Sequence, residues 1–249
     1  MPPVIVLCRH SEAEHNASQN YSLPDPPLTA LGEQQSVQLG EHLRANLPLA
    51  EQAELIVVSP MVRTLQTATL ALDWLIKRGT PVRLDAGWQE NSDKPCDTGS
   101  PLPTVKALFP SLDFSAVDPS YPDKTSPNNP YAFTRRAVLA RGQACLRWLH
   151  ARPEKVIIVV SHSGFLRTAV SQRRYANADY RVFEFDDDVI DGKGEKLLRL
   201  REWEQTESLG GGMGRSEKGV ATVLPRDFPR DAAEDEKVVE NEATSEVPN

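Results

Sequence analysis

Val4-Ile5-Val6-Leu7, with Cys8-Arg9-His10 directly behind it, is the stretch from which the rest of the chain can be read. Four consecutive apolar residues, three of them β-branched, show no polar alternation, so neither face of the segment is built to meet water. A buried strand in the middle of a sheet is expected. Within two residues the polarity changes to Arg9 and His10, which places two basic side chains at the carboxyl end of that strand. Polar, turn-forming residues 11–27 follow.

The same signature returns at Leu55-Ile56-Val57-Val58 and at Val156–Ser161, and helical patterns lie between. Leu28-Thr29-Ala30-Leu31-Gly32-Glu33 opens a helix with Thr29 as N-cap. Val37, Leu39, Leu43 and Leu47 fit one face of it only roughly, and Pro48 ends it. Ser59-Pro60 reads as the N-cap and first residue of a second helix, running to about Arg78 and closed by Gly79. Val82-Arg83-Leu84 is a short strand. Residues 85–130, rich in Pro, Asp and Ser and helical only around Thr104–Phe109, predict a long lid-like excursion over the sheet. Tyr131–His150 reads as a helix, and a short one runs from Gly164 to about Ser171. Tyr180–Phe185 and Leu197–Trp203 alternate and predict edge or antiparallel strands. Strand and helix in alternation give a three-layer α/β/α sandwich with a mostly parallel central sheet, one domain over residues 1–204. Beyond Trp203 the pattern fades, and Gly210-Gly211-Gly212 followed by charged residues predicts a disordered acidic tail over 205–249.

The formal net charge of −7 argues against non-specific nucleic-acid binding. Residues 205–249 carry ten acidic and five basic side chains, so residues 1–204 are nearly neutral and can still hold a positive pocket. Cys8, Cys96 and Cys145 are odd in number and scattered, which argues against a disulfide framework and a structural zinc site. With no secretory pattern and no apolar run long enough to cross a bilayer, a cytoplasmic setting without a membrane partner is expected.

Ligands of open α/β sheets sit beyond the carboxyl ends of the strands. The residues expected there are Arg9 and His10, Ser59 to Arg63, and His162, with Glu90 in the loop after Val82-Arg83-Leu84. Two arginines, two histidines and a carboxylate suit phosphoryl transfer. Arg presents fixed forked donors to phosphate oxygens. A neutral imidazole is a nucleophile near pH 7, and neighbouring Arg charges keep His10 neutral. Arg9, Arg63 and His162 meet the charge that develops in the transition state. Glu90 is the candidate proton donor, with Asp93 of the same loop as the alternative. Lys94, Arg135 and Arg136 either reach a second anionic group or are ordinary solvated charges. His15, His42 and His150 read as structural histidines, and their spacing implies no metal.

Arg9-His10-Ser11-Glu12 with Asn16, Pro27-Leu28-Thr29 with Gly32, Ser59-Pro60 with Arg63-Thr64 and Thr67-Ala68, and Val160-Ser161-His162-Ser163-Gly164 resemble, in this order, the signature of the histidine phosphatase (phosphoglycerate mutase-like) superfamily. The resemblance spans roughly residues 4–170. It implies a phosphoglycerate mutase-like fold, phosphorylation of His10, phosphate binding by Arg9, Arg63 and His162, and proton donation by Glu90. Asn16 and Ser22 resemble further pocket-lining positions. Ser11 and Ser163 stand where the family usually has Gly; a Ser held at positive φ there would cost about 1 kcal/mol or more, unless these turns need no Gly. The loop after Glu90 lacks the Glu-Arg-x-Tyr-Gly run of the mutases and looks like fungal-type members.

The expected activity is a metal- and cofactor-free phosphomonoesterase acting on a small phosphorylated molecule. A phosphate mutase sharing the same first step is the alternative, and a non-catalytic phospho-ligand binder is a third reading. The missing mutase run favours hydrolysis, and retention of the whole Arg-His-Arg-Glu-His set favours catalysis.

Overall fold

In the computed structural model, which describes residues 1–126, 129–186, 197–224 and 227–228, regular structure begins at once with β1 (Val4–Arg9). There follow α1 (Glu14–Ser18), α2 (Ala30–Asn46), β2 (Leu55–Val58), α3 (Val62–Ala71), α4 (Asp73–Lys77) and β3 (Val82–Leu84). The second half holds α5 (Leu102–Leu108), α6 (Arg135–His150), β4 (Val156–Ser161), α7 (Ser163–Phe165), β5 (Tyr180–Asp186), β6 (Arg199–Glu202) and α8 (Glu204–Leu209). The strands form one sheet in the order β3-β2-β4-β1-β5-β6. β1, β2, β3 and β4 are parallel. β5 runs antiparallel to both of its neighbours.

A parallel sheet must be covered on both faces, and the apolar runs supply both coats. Val6, Cys8, Ile56, Val58, Ile158 and Val160 face one way and pack with Leu39 and Leu43 of α2 and Leu65 and Ala68 of α3. Ile5, Leu7, Val57, Ile157 and Val159 face the other way, onto Val138, Leu146 and Leu149 of α6 and Phe165 of α7. The three-layer sandwich is therefore present, with the two most central strands contributed by the runs that begin at Val4 and Val156.

Local signals hold where the capping group is a neighbour in sequence. Thr29 Oγ1 accepts from Gly32 N at 3.0 Å and starts α2. Gly79, at φ +95°, closes the turn after α4, a conformation that side chains with a Cβ avoid. Three boundaries differ from expectation. α3 starts at Val62 behind Met61, because the Ser59 hydroxyl is turned to His162 and does not cap. The helix expected to reach Arg78 breaks at Leu72 into α3 and α4. α6 starts at Arg135, where Thr134 Oγ1 accepts from Ala137 N at 3.2 Å, rather than at Tyr131.

Within residues 85–130, Val105, Phe114, Val117 and Tyr121 are buried in the core beside α2 and α3, so the excursion is packed down. The expectation of a disordered tail over 205–249 is corrected for its first part. Residues 205–224 carry the end of α8 and a strap across β5: Gly212 N donates to Tyr180 O at 2.7 Å, and Asp179 accepts from Met213 N, Arg215 N and Ser216 Oγ. Arg167 pairs with Asp227 through both terminal nitrogens at 3.0 Å, and Phe228 is buried. Polar side chains of Asp179 and Arg167, remote in sequence, hold a segment whose own apolar pattern is too weak to announce it. Residues 225–226 and 229–249 lie outside the described residues. Among the described residues, no helix is long and apolar enough to cross a membrane.

Candidate active site

Sheet register assembles the site. Arg9 stands opposite Ser161 and Val58 opposite Val160, so His10, Ser59 and His162 each emerge one residue past the end of adjacent parallel strands. The rings of His10 and His162 lie 5.2 Å apart at an interplanar angle of 58°. His162 Nε2 is 2.9 Å from Ser59 Oγ. Arg63, in the first turn of α3, is wholly buried, and its Nε donates to His10 Nε2 at 3.3 Å. Its Nη1 donates to Cys96 O at 2.7 Å, and its Nη2 faces Asp97 Oδ1 at 3.4 Å. Arg9 Nη1 donates to Tyr175 O at 2.8 Å. The four groups expected to meet beyond the strand ends do so.

The hydrogen bonds of His10 determine its tautomer. Nδ1 is 2.7 Å from Ser11 O, and a carbonyl can only accept, so the proton is on Nδ1. Nε2 then presents its lone pair, toward Arg63. Burial, then the charges of Arg63 and Arg9, hold His10 well below the usual 6.5. Burial, then Arg63 and His10, do the same for His162. Both rings are neutral near pH 7. Arg9 Nε and His162 Nδ1 are buried and have no hydrogen-bond partner among the described residues. A buried polar group without a partner is rare and calls for a ligand atom to explain it, an acceptor in the case of the Arg9 N–H.

Glu90 reaches the same rim. Its carboxylate accepts from Gly164 N at 2.9 Å and Phe165 N at 2.8 Å, in the turn that His162 opens, and from Asn91 N at 2.9 Å. Its charge is felt at Arg9. Lys124 Nζ donates to the backbone oxygens of Glu90 (2.7 Å), Ser92 (2.9 Å) and Asp97, clamping the loop from outside. Arg141 of α6 adds a bond to Asn91 Oδ1 at 2.9 Å.

Asn16 lies beside the cluster but is occupied by other partners. Its Oδ1 accepts from Ala13 N at 3.0 Å and Asn177 Nδ2 at 3.3 Å. Ser22 is exposed, in a turn whose neighbour Tyr21 accepts through its carbonyl from Cys96 N at 3.3 Å; the turn reaches the rim, and Ser22 N donates to Asn20 Oδ1 at 3.1 Å. Lys94 is exposed and sits over the Tyr21 ring at 4.9 Å, and Arg135 and Arg136 are exposed in the first turn of α6. His42 and His150 pack against Tyr180 and Phe185, away from the cluster. His15 does not belong with them: its ring is buried, 6.1 Å from that of His10. Asp97, paired with Arg63, and Asp25, which accepts from Val62 N at 3.2 Å and Ser100 N at 2.8 Å, are further members that sequence reasoning missed. Proximity of His15 to His10 in the motif was the one available signal.

Comparison with known families places the chain. The profile of the Histidine phosphatase superfamily (branch 1) matches residues 5–187. The protein belongs to this superfamily. A phosphoglycerate mutase-like protein of Arabidopsis thaliana is 35% identical over 205 residues, covering 67% of this chain and 73% of its own. A probable phosphatase of Schizosaccharomyces pombe is 31% identical over 169 residues, covering 66% and 75%. A plant and a yeast relative together do not single out a fungal type. Among solved structures, a candidate alpha-ribazole-5′-P phosphatase of Escherichia coli shares the fold, with a TM-score of 0.52, 22% identity and coverage of 80% and 96%.

Within this superfamily the chain departs from the usual pattern at Ser11 and Ser163, and the backbone explains why both are tolerated. Neither is among the positive-φ residues. Ser11 Oγ is 2.7 Å from Ser36 Oγ, while Ser11 N donates to Thr67 Oγ1 at 3.0 Å, so its hydroxyl is used inside the packing of α2. Ser163 occupies ordinary helical space as the first residue of α7.

Proposed function

We propose that this protein is a metal-independent phosphomonoesterase that hydrolyses a small-molecule phosphate ester through a phosphohistidine at His10. The observation that carries the reading is the lone pair of His10 Nε2, fixed by the Nδ1 bond to Ser11 O and set beside Arg63. An imidazole held neutral by burial and by two guanidinium groups is a ready nucleophile at pH 7. Arg63 and Arg9 supply the positive charge and N–H donors that equatorial phosphoryl oxygens require, and neutral His162 adds a polar group beside them. His10 Nε2 attacks phosphorus in line as the ester P–O bond breaks. A seated phosphate dianion favours the protonated form of Glu90, which then gives its proton to the departing alkoxide. Water then attacks the phosphohistidine, Glu90 takes up its proton, and inorganic phosphate leaves with His10 restored. The phosphatase name of the yeast relative supports hydrolysis over transfer.

The test is p-nitrophenyl phosphate turnover in the presence of EDTA, with acid-quenched and base-quenched trapping of labelled protein. Wild type is expected to turn over and to give an acid-labile, base-stable label, and His10→Ala to lose both, with kcat down by about 10³-fold or more. Folded wild type with no turnover would overturn the reading. Activity that needs a bisphosphate primer and releases little phosphate would replace it with a mutase.

A further inference from the structure

His15 is 5% exposed, and its ring lies 6.1 Å from that of His10 at 45°. Its neighbour determines which ring nitrogen holds the proton. Asn16 Oδ1 accepts from the backbone N–H of Ala13 at 3.0 Å, which can only donate, and this fixes the orientation of the Asn16 amide. Its Nδ2 stands 3.0 Å from His15 Nε2. A donor at that position needs a lone pair on Nε2, and a neutral imidazole then carries its hydrogen on Nδ1. Nδ1 is buried and has no partner among the described residues, as is also true of Arg9 Nε and His162 Nδ1. Burial, followed by the charge of Arg63, brings His15 down to about 4, so the ring is neutral at physiological pH.

We propose that His15 is a substrate-binding residue of this site, its Nδ1–H donating to an oxygen of the phosphoryl group seated against His10, with Asn16 setting the tautomer that makes it a donor. The inference rests on the phosphatase reading above and adds to it a ligand contact and a positioning role for Asn16. N–H···O bonds of about 2.7–3.2 Å allow one layer of oxygens to bridge rings at the observed separation. A neutral donor adds direction without a further positive charge beside Arg9 and Arg63.

Three proteins decide it: wild type, His15→Phe, which keeps a ring without the N–H, and His15→Asn, whose amide nitrogen falls near the Nδ1 position. In p-nitrophenyl phosphate kinetics with inorganic phosphate as inhibitor, His15→Phe is expected to raise KM and the phosphate inhibition constant about tenfold with kcat changed little. His15→Asn should restore most of the loss. Equal phosphate affinity in wild type and His15→Phe would overturn the proposal while leaving the phosphatase reading intact. Wild type that neither turns over nor binds phosphate would remove both. A second measurement needs no variant fold: long-range proton–nitrogen NMR of the wild-type imidazoles. It should show His15 protonated on Nδ1 and bare on Nε2, with the Nδ1 signal moving as phosphate is added. An Nε2–H tautomer, or a His15 signal indifferent to saturating phosphate, overturns the proposal.

Discussion

A methyl group on Gly164 would stand 2.5 Å from Glu90 Oε1 and 2.9 Å from the Glu90 carboxyl carbon. The glycine is therefore required by the carboxylate resting on the turn after His162, not by the backbone conformation of that turn. Gly164→Ala should push Glu90 off the amides of Gly164 and Phe165 and cost about 1–3 kcal/mol of stability through overpacking. With Glu90 as the proton donor, kcat should fall by about 10²-fold with KM little changed. Steady-state kinetics beside a thermal melt measure both, and an unaltered kcat would remove Glu90 from the chemistry. At this scale His10, Arg63, Glu90 and His162 were legible because each lies within a few residues of a strand end, where the topology rule applies. Asp97 and His15 were not. Asp97 is defined by a guanidinium 34 residues away, and the tautomer of His15 by an amide whose own orientation is set by Ala13 and Asn177.

The loop from Glu90 to Asp97 has little regular structure, so its carbonyls depend on side chains from elsewhere to replace water. Lys124 serves three of them at once. Replacing it with Met leaves buried oxygens without donors, an expected cost of about 1–3 kcal/mol. The variant should melt earlier and lose kcat by about tenfold as Glu90 loses its fixed place. Full kcat at a lowered melting temperature would show the clamp to be purely structural. The same dependence on distant partners explains which elements were readable in advance. β1, β2 and β4 follow from uninterrupted apolar runs, and α2 from a cap three residues from its bond. The start of α3 did not follow, since the Ser59 hydroxyl that looked like a cap belongs to a histidine 103 residues further on. The strap after Trp203 escaped because its attachment is polar and centres on Asp179.

For the molecule as a whole, several buried imidazoles make stability depend on pH. His10, His15 and His162 all have folded values below 6.5, His15 at about 4. Below pH 6.5 the unfolded chain binds protons on these rings that the folded chain refuses. Stability is therefore expected to fall as pH drops from 7 to 5, by up to about 1.4 kcal/mol per pH unit for each fully buried ring. Asp25, raised from 3.8 chiefly by burial, acts in the opposite sense, over the window between its raised folded value and the ordinary carboxylate one. Melting temperature against pH, in the absence of phosphate, measures the slope; a flat profile between 7 and 5 would contradict neutral buried rings. Another property of the whole chain follows from the strap across β5. Asp179, which it holds, lies beside Ala178, whose N–H donates to His10 O at 3.2 Å, and Arg9 N donates to Asp179 O at 3.0 Å. A gene trimmed after Trp203 would encode every side chain of the histidine–arginine cluster and still yield a protein whose Arg9–His10 corner had lost its backing, so fusion tags and domain boundaries belong beyond Phe228.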